Sequence, residues 1–197
     1  GDSIQIDHDR IRECLIASLD IEEMQQVHAR LARAHEQAEP PDPEALAAHL
    51  LGARERQSAA RALLTAAGHA AEKLAFDRAS RLYGRALDLG GLPWVEERRV
   101  RGLRGDALRN AGHDPEAARE YLAAVEGAPA TEALELRRRA VEQLLLSGHM
   151  KEGRALMREL LGELGIRAPR SRLGVLADVA VSQLWIRARG LESIERS

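Results

Sequence analysis

Apolar side chains recur at intervals of three and four residues through most of this chain. The segment with Leu63, Ala66, Ala67 and Ala70 shows the spacing clearly, since these residues fall on one side of a helix. No segment alternates apolar and polar residues with a period of two, apart from a short stretch at residues 3–7. The sequence therefore predicts an all-α fold. The predicted helices cover residues 8–19, 21–38, 43–52, 56–73, 75–89, 95–111, 114–126, 131–147, 150–164 and 172–189.

Cap and turn residues separate the predicted helices. Two Asp-Pro-Glu strings, at residues 42–44 and 114–116, each place an aspartate directly before a proline. This order predicts Asp42 and Asp114 as N-caps, with the proline at the first helical position. Glycine is the residue that most often follows a helix, because it adopts the left-handed conformation without strain. The glycines in such positions are Gly52, Gly90, Gly91, Gly112, Gly127, Gly148 and Gly165.

One pattern of side chains occurs three times in the middle of the chain. Its central copy consists of Gly105, Leu108, Gly112, Ala117, Tyr121 and Ala124. The same positions 36 residues later hold Val141, Leu144, Gly148, Gly153, Met157 and Leu160, and 38 residues earlier they hold Ala67, Ala70, Leu74, Ala79, Tyr83 and Ala86. A period of about 34–38 residues is typical of stacked helical hairpins. Gly105 and Ala117 are predicted to lie where the two helices of one hairpin cross, because only small side chains permit a close approach.

The central copy resembles the tetratricopeptide repeat (TPR) family. That family has a small residue, a large residue three positions later, a turn glycine, and then alanine, an aromatic residue and alanine. Residues 98–127 match all of these positions, whereas residues 60–89 have Leu74 in place of the turn glycine. Residues 134–163 carry Gly153 and Met157 in the second helix, and no copy has the family's early tryptophan or terminal proline. The resemblance implies a right-handed superhelical array of antiparallel helix hairpins, a TPR-like α-solenoid.

A second resemblance concerns both ends of the chain. Residues 6–13 resemble the junction in large bacterial signalling proteins where a STAND-type ATPase ends in a winged-helix module and continues into TPR-like repeats. A serine/threonine kinase domain often precedes that ATPase, and the segment from Leu164 onward resembles the same proteins. The implied domains are residues 1–19 as the end of an upstream winged-helix-like module, 20–55 as a degenerate helical hairpin, 56–165 as three TPR-like repeats, and 166–197 as an apolar helix that begins a truncated repeat.

Composition excludes several classes of function. The chain of 197 residues is 45% hydrophobic but only 3% aromatic, so its core must consist mainly of alanine and branched aliphatic residues. Charged residues make up 30%, with a formal net charge of -2, which gives no overall attraction to nucleic acid or to anionic membranes. The single cysteine, Cys14, excludes an intramolecular disulfide. Because no signal peptide and no membrane-spanning run is recognisable, we expect a cytoplasmic location.

No constellation of side chains indicates catalysis. The chain has no Gly-x-x-x-x-Gly-Lys phosphate loop, no kinase motif and no Gly-x-Ser-x-Gly elbow. His28 and His35 lie two turns apart on one predicted helix, and His49 has no partner at metal-ligand spacing. We therefore expect a non-catalytic segment without metal or cofactor. Any kinase or ATPase machinery of a parent protein would lie upstream of Gly1.

The TPR resemblance implies a binding face, since ligands of that family usually lie on the concave surface of the first helices. By position, this face would include Arg61, Leu64, Arg99, Gly102, Asp106, Arg109, Glu135, Arg138, Glu142 and Leu145. The expected occupant is another protein or an upstream domain of the same chain. The resulting function is an interaction scaffold or sensor of a bacterial signalling protein. The alternative is the effector-sensing region of a STAND-type transcriptional regulator whose DNA-binding domain lies outside this chain.

The last predicted helix is apolar on more than one side. Leu184 and Trp185 are its largest apolar side chains near the end, and fewer residues are apolar than a bilayer span requires. The final helix of a complete solenoid normally has a polar outer face. We therefore expect homodimerisation through Leu184 and Trp185, with the helix packed on residues 150–164.

Overall fold

Eight α-helices make up residues 20–166 in the computed structural model, which describes residue 13 and residues 17–166. They are α1 (Ile21–Glu36), α2 (Pro43–Gly52), α3 (Arg56–Glu72), α4 (Phe76–Leu89), α5 (Trp94–Asn110), α6 (Asp114–Ala123), α7 (Ala130–Leu146) and α8 (Met150–Glu163). No strand occurs among the described residues. The all-α prediction is confirmed there. The predicted helix over 172–189 and most of that over 8–19 lie outside the described residues.

The helix bounds follow the predicted ones closely. The largest difference is at α6, which ends at Ala123 instead of residue 126. The amide of Ala124 is bonded to the carbonyls of both Glu120 and Tyr121, so the last turn tightens before the chain reaches Gly127. Gly127 has a φ of 63° and ends any continuation of the helix.

Of the two predicted N-caps, one is confirmed and the other is wrong. Asp42 caps α2, since its Oδ1 accepts hydrogen bonds from the amides of Glu44 and Ala45 at 3.2 and 3.0 Å. Asp114 is not an N-cap. It is the first residue of α6, and the N-cap position belongs to His113, whose side chain makes no capping bond. Gly112, in the left-handed conformation, follows α5 two residues before Asp114. The Nε2 atom of His113 lies 2.9 Å from Oδ1 of Asp77 on α4, so the ring is directed away from the start of α6.

Each helix packs against the helices that precede and follow it in sequence. Alanine dominates the interior, as the composition predicts, and the buried residues form two clusters. The first lies mainly between α2 and α5, and the second joins α5 to α8. Ala79 and Ala117 are completely buried. A Cβ added to Gly105 would lie 2.6 Å from Cε1 of Tyr121, so the glycine is what allows α5 to approach that ring.

The turns between helices repeat one backbone conformation. Leu74, Gly112 and Gly148 occupy the same position in the three sequence copies, and all have positive φ values of 58°, 82° and 82°. At positive φ, the Cβ of a leucine makes steric contacts that glycine does not make. The side chain of Leu74 is nevertheless 72% exposed, so packing within the described chain does not explain its presence.

None of the helices in the described part of the chain is both long and apolar enough to cross a lipid bilayer.

Candidate interaction face

The predicted binding residues lie on three alternate helices. Arg61 and Leu64 are on α3, Arg99, Asp106 and Arg109 are on α5, and Arg138, Glu142 and Leu145 are on α7. We use the name interaction face for these eight residues together with Gly102 and Glu135. Leu184 and Trp185, the predicted self-association residues, lie outside the described residues.

Asp106 joins three helices at the centre of the interaction face. Its Oδ1 accepts a hydrogen bond from the Tyr121 hydroxyl of α6 at 2.7 Å and another from Nη1 of Arg139 on α7 at 3.0 Å. The guanidinium carbon of Arg139 also lies 5.9 Å from the centre of the Tyr121 ring, within cation–π range. Burial and the bond to Asp106 raise the pKa of Tyr121, which therefore stays a neutral donor. Asp106 is thus committed to contacts within the chain.

The charges of α7 neutralise one another along the helix. Glu135 accepts hydrogen bonds from Arg138 at 2.8 Å and from Arg139 at 2.9 Å. These two bonds, that from Arg138 first, lower the pKa of Glu135 to about 2. Arg138 is bonded in addition to Glu142 at 3.2 Å. A partner that used these side chains would have to replace existing ion pairs, so α7 offers little uncompensated charge.

Tyr83 lies within the electrostatic influence of charges on both α3 and α5. It lies on α4, in the same repeat position as Tyr121, and burial is the main reason that its pKa is raised. The charges of Asp106 and Glu72 raise this pKa further, and Arg99 lowers it. Residues of α3 and of α5 therefore come near the same phenol. Asp106 in turn joins α5 to α7 through its bond to Arg139.

The arginines of α3 and α5 on this face remain available. Within the described residues, Arg61 and Arg99 form no salt bridge and no side-chain hydrogen bond, and Arg109 contacts only the side-chain oxygen of Asn110, at 3.4 Å. By contrast, Arg101 and Arg104 are engaged with Glu120 of α6, whose side chain is only 14% exposed. The uncompensated charge of the interaction face is therefore positive.

The two leucines of the prediction contribute to packing as well. Leu64 is half-buried and packs against the first core cluster. Leu145 faces α8, since a Cβ added to Gly153 would lie 2.9 Å from its Cδ2. Neither leucine is a freely projecting contact residue.

Two glycines, one on α3 and one on α5, have no neighbouring atom that would require the absence of a side chain. A Cβ added to Gly68 or to Gly102 would meet no atom within 4 Å, whereas Gly105 and Gly153 are held against neighbouring side chains. Gly68 lies four residues after Leu64 and four residues before Glu72. Gly102 lies four residues before Asp106. Each glycine is therefore on the same side of its helix as a residue of the interaction face. Glycine within a helix costs about 1 kcal/mol relative to alanine. No packing contact in the described chain offsets that cost.

Sequence spacing did not reveal one contact, between histidines of α1 and α2. Nδ1 of His28 lies 3.1 Å from Nδ1 of His49, and the His35 ring stacks on His49 with 5.1 Å between ring centres. The 21 residues between His28 and His49 exceed any local ligand spacing, so only the packing of the two helices brings them together. No group of three or more metal-ligating side chains in the described part of the chain is arranged to hold a metal ion.

Comparison of the chain with protein-family models, with curated proteins and with solved structures gives no match.

Proposed function

We propose that this chain is a non-catalytic, TPR-like interaction scaffold that docks an acidic protein segment on the interaction face of α3, α5 and α7. The parent would be a cytoplasmic bacterial signalling protein with a serine/threonine kinase or a STAND-type ATPase. The segment that docks would belong to another protein or to an upstream domain of the same parent. The proposal on the parent rests on the resemblance of residues 6–13 and of the repeats to that class.

One observation carries the docking proposal. The arginines Arg61, Arg99 and Arg109 have no carboxylate partner among the described residues, although the other charges of the face are paired internally. They share their helices with Gly68 and Gly102, above which a partner backbone can come close. Positive charge beside an open backbone surface suits an extended segment that carries aspartate or glutamate.

Peptide selection tests this proposal. Random peptides displayed on phage are selected against the full chain, and the recovered peptides are expected to be enriched in acidic residues. For a synthetic peptide of that type, Arg99→Glu is expected to weaken binding about tenfold, because it replaces an attractive charge by a repulsive one. Fluorescence anisotropy measures the affinity.

The matched control is Arg119→Glu. Arg119 is an exposed arginine of α6, outside the interaction face, and its partner Glu116 lies on the same helix. Equal losses of affinity in the two variants would show that the peptide responds to net charge alone. Recovery of peptides without acidic enrichment would also contradict the proposal.

A further inference from the structure

Three histidines form a cluster where α1 meets α2. His49 lies between the two histidines of α1: its ring centre is 5.3 Å from that of His28 and 5.1 Å from that of His35. The Nδ1 atoms of His28 and His49 face each other at 3.1 Å, which is hydrogen-bond distance. One of these nitrogens must therefore donate a proton and the other must accept it.

The fit of the His28 ring depends on a glycine. A Cβ at Gly52, the last residue of α2, would collide with Cγ of His28. Ala32 is the one residue of α1 that is fully buried, and His28 and His35 are among its half-buried residues. The histidine cluster is therefore part of the contact between α1 and α2.

Protonation opposes this arrangement. If both facing nitrogens carried protons, two N–H groups and two positive charges would meet at 3.1 Å. Burial, and then the charges of His28 and His35, already lower the pKa of His49.

The other titratable groups near the cluster give His49 no compensation. Glu36 and Asp42, together with His69 of α3, line a cavity beside His35. Asp42 is already bonded to two amides at the start of α2. The groups that shift the pKa of His49 are the two histidines of α1, and no described carboxylate offsets them.

We infer that the α1–α2 contact is an acid-sensitive latch, closed while the facing Nδ1 atoms of His28 and His49 share a hydrogen bond and released when His49 takes up a proton. Release would uncover the side of α2 on which His49 and Gly52 lie. It would do so next to α3, the helix with which the interaction face begins. Mild acidification would then change one end of the array without unfolding the rest.

The direction of the effect follows from the proton balance. A released His49 titrates at its ordinary pKa of 6.5, whereas the packed one titrates lower, so the released state binds more protons as the pH falls. The contact therefore loses stability as the pH falls through and below 6.5. Between about pH 7.5 and 5.5, the proton taken up by His49 on release raises the opening constant by up to about tenfold, the limit reached when packed His49 stays neutral throughout.

Hydrogen exchange of the full chain measures the opening. The rates of the α1 and α4 amides are recorded at about pH 7.5 and 5.5 with EDTA present and corrected for intrinsic exchange. We expect the opening constant of α1 to rise at the lower pH, by up to about tenfold, with α4 unchanged. His49→Gln should remove most of this rise, and His149→Gln, a histidine of the α7–α8 turn, should retain it.

Two results would overturn the latch: an α1 opening constant independent of pH in the wild type, or an equal rise in the His49→Gln variant. If His49→Gln releases α1 already at neutral pH, NMR titration of the wild-type imidazoles decides instead. A His49 pKa below 6.5 that is coupled to the loss of α1 protection supports the latch, and a pKa of 6.5 or above refutes it.

Discussion

Replacing Tyr121 with alanine should lower the free energy of unfolding by about 3–5 kcal/mol. Among the described residues, Tyr121 is the largest side chain that is completely buried, and it belongs to the core cluster that joins α5 to α8. Its ring fills the space that Gly105 leaves open, so truncation creates a cavity between α5 and α6. Urea denaturation followed by circular dichroism measures the change.

Tyr121→Phe is the matched control for this substitution. Phenylalanine keeps the ring and removes only the hydroxyl that donates to Asp106 at 2.7 Å. Because Arg139 still binds the same carboxylate oxygen, the loss should be about 1 kcal/mol. If the alanine and phenylalanine variants lost equal stability, the ring would contribute nothing to packing. The Tyr121 ring of α6 would then not lie against Gly105 of α5.

The second large effect is expected from overpacking. Ala117→Leu, or Ala79→Leu at the corresponding position of the preceding copy, should destabilise the fold by about 1–3 kcal/mol. Both alanines are completely buried against a neighbouring helix, and neither has room for three more carbon atoms. Thermal or urea unfolding provides the measurement.

Ala123→Leu separates overpacking from any general effect of leucine on α6. Ala123 is on the same helix as Ala117 but is exposed, so the larger side chain should change the stability by less than about 0.5 kcal/mol. Stability equal to that of the wild type in Ala117→Leu would mean that the repeat positions are assigned in the wrong register.

The helices could be predicted from sequence because their determinants are local. Apolar spacing, the proline at position 43 and the glycines that follow α4 to α8 all act within a few residues, and the start of α2 follows directly from Asp42 and Pro43. Asp114 shows the limit of such signals. Whether it caps α6 depends on the geometry of the preceding turn and on the attraction of His113 to Asp77, which is 36 residues away.

The interaction face was only partly predictable. Repeat position assigns Asp106 and Arg138 to the proposed face, and they lie on α5 and α7, but it does not show which charges are already paired. Arg139 reaches Asp106 across 33 residues, so the role of Arg139 depends on how α5 and α7 stack. The histidine cluster has the same origin, because His28 and His49 meet only through the packing of α1 on α2.

The most direct test of the docking face is a pair of glycine substitutions measured in two ways. Gly68→Ala and Gly102→Ala should each stabilise the fold by about 0.5–1 kcal/mol, because alanine is the better helix former and the added methyl group meets no atom of the described chain. The same variants should bind the selected acidic peptide more weakly, because the methyl group occupies the surface that the peptide approaches. Gly162→Ala, an equally open helix glycine on α8, should leave the affinity unchanged. Higher stability with weaker binding in the first two variants alone is the predicted result, and unchanged affinity in all three would contradict docking on this face.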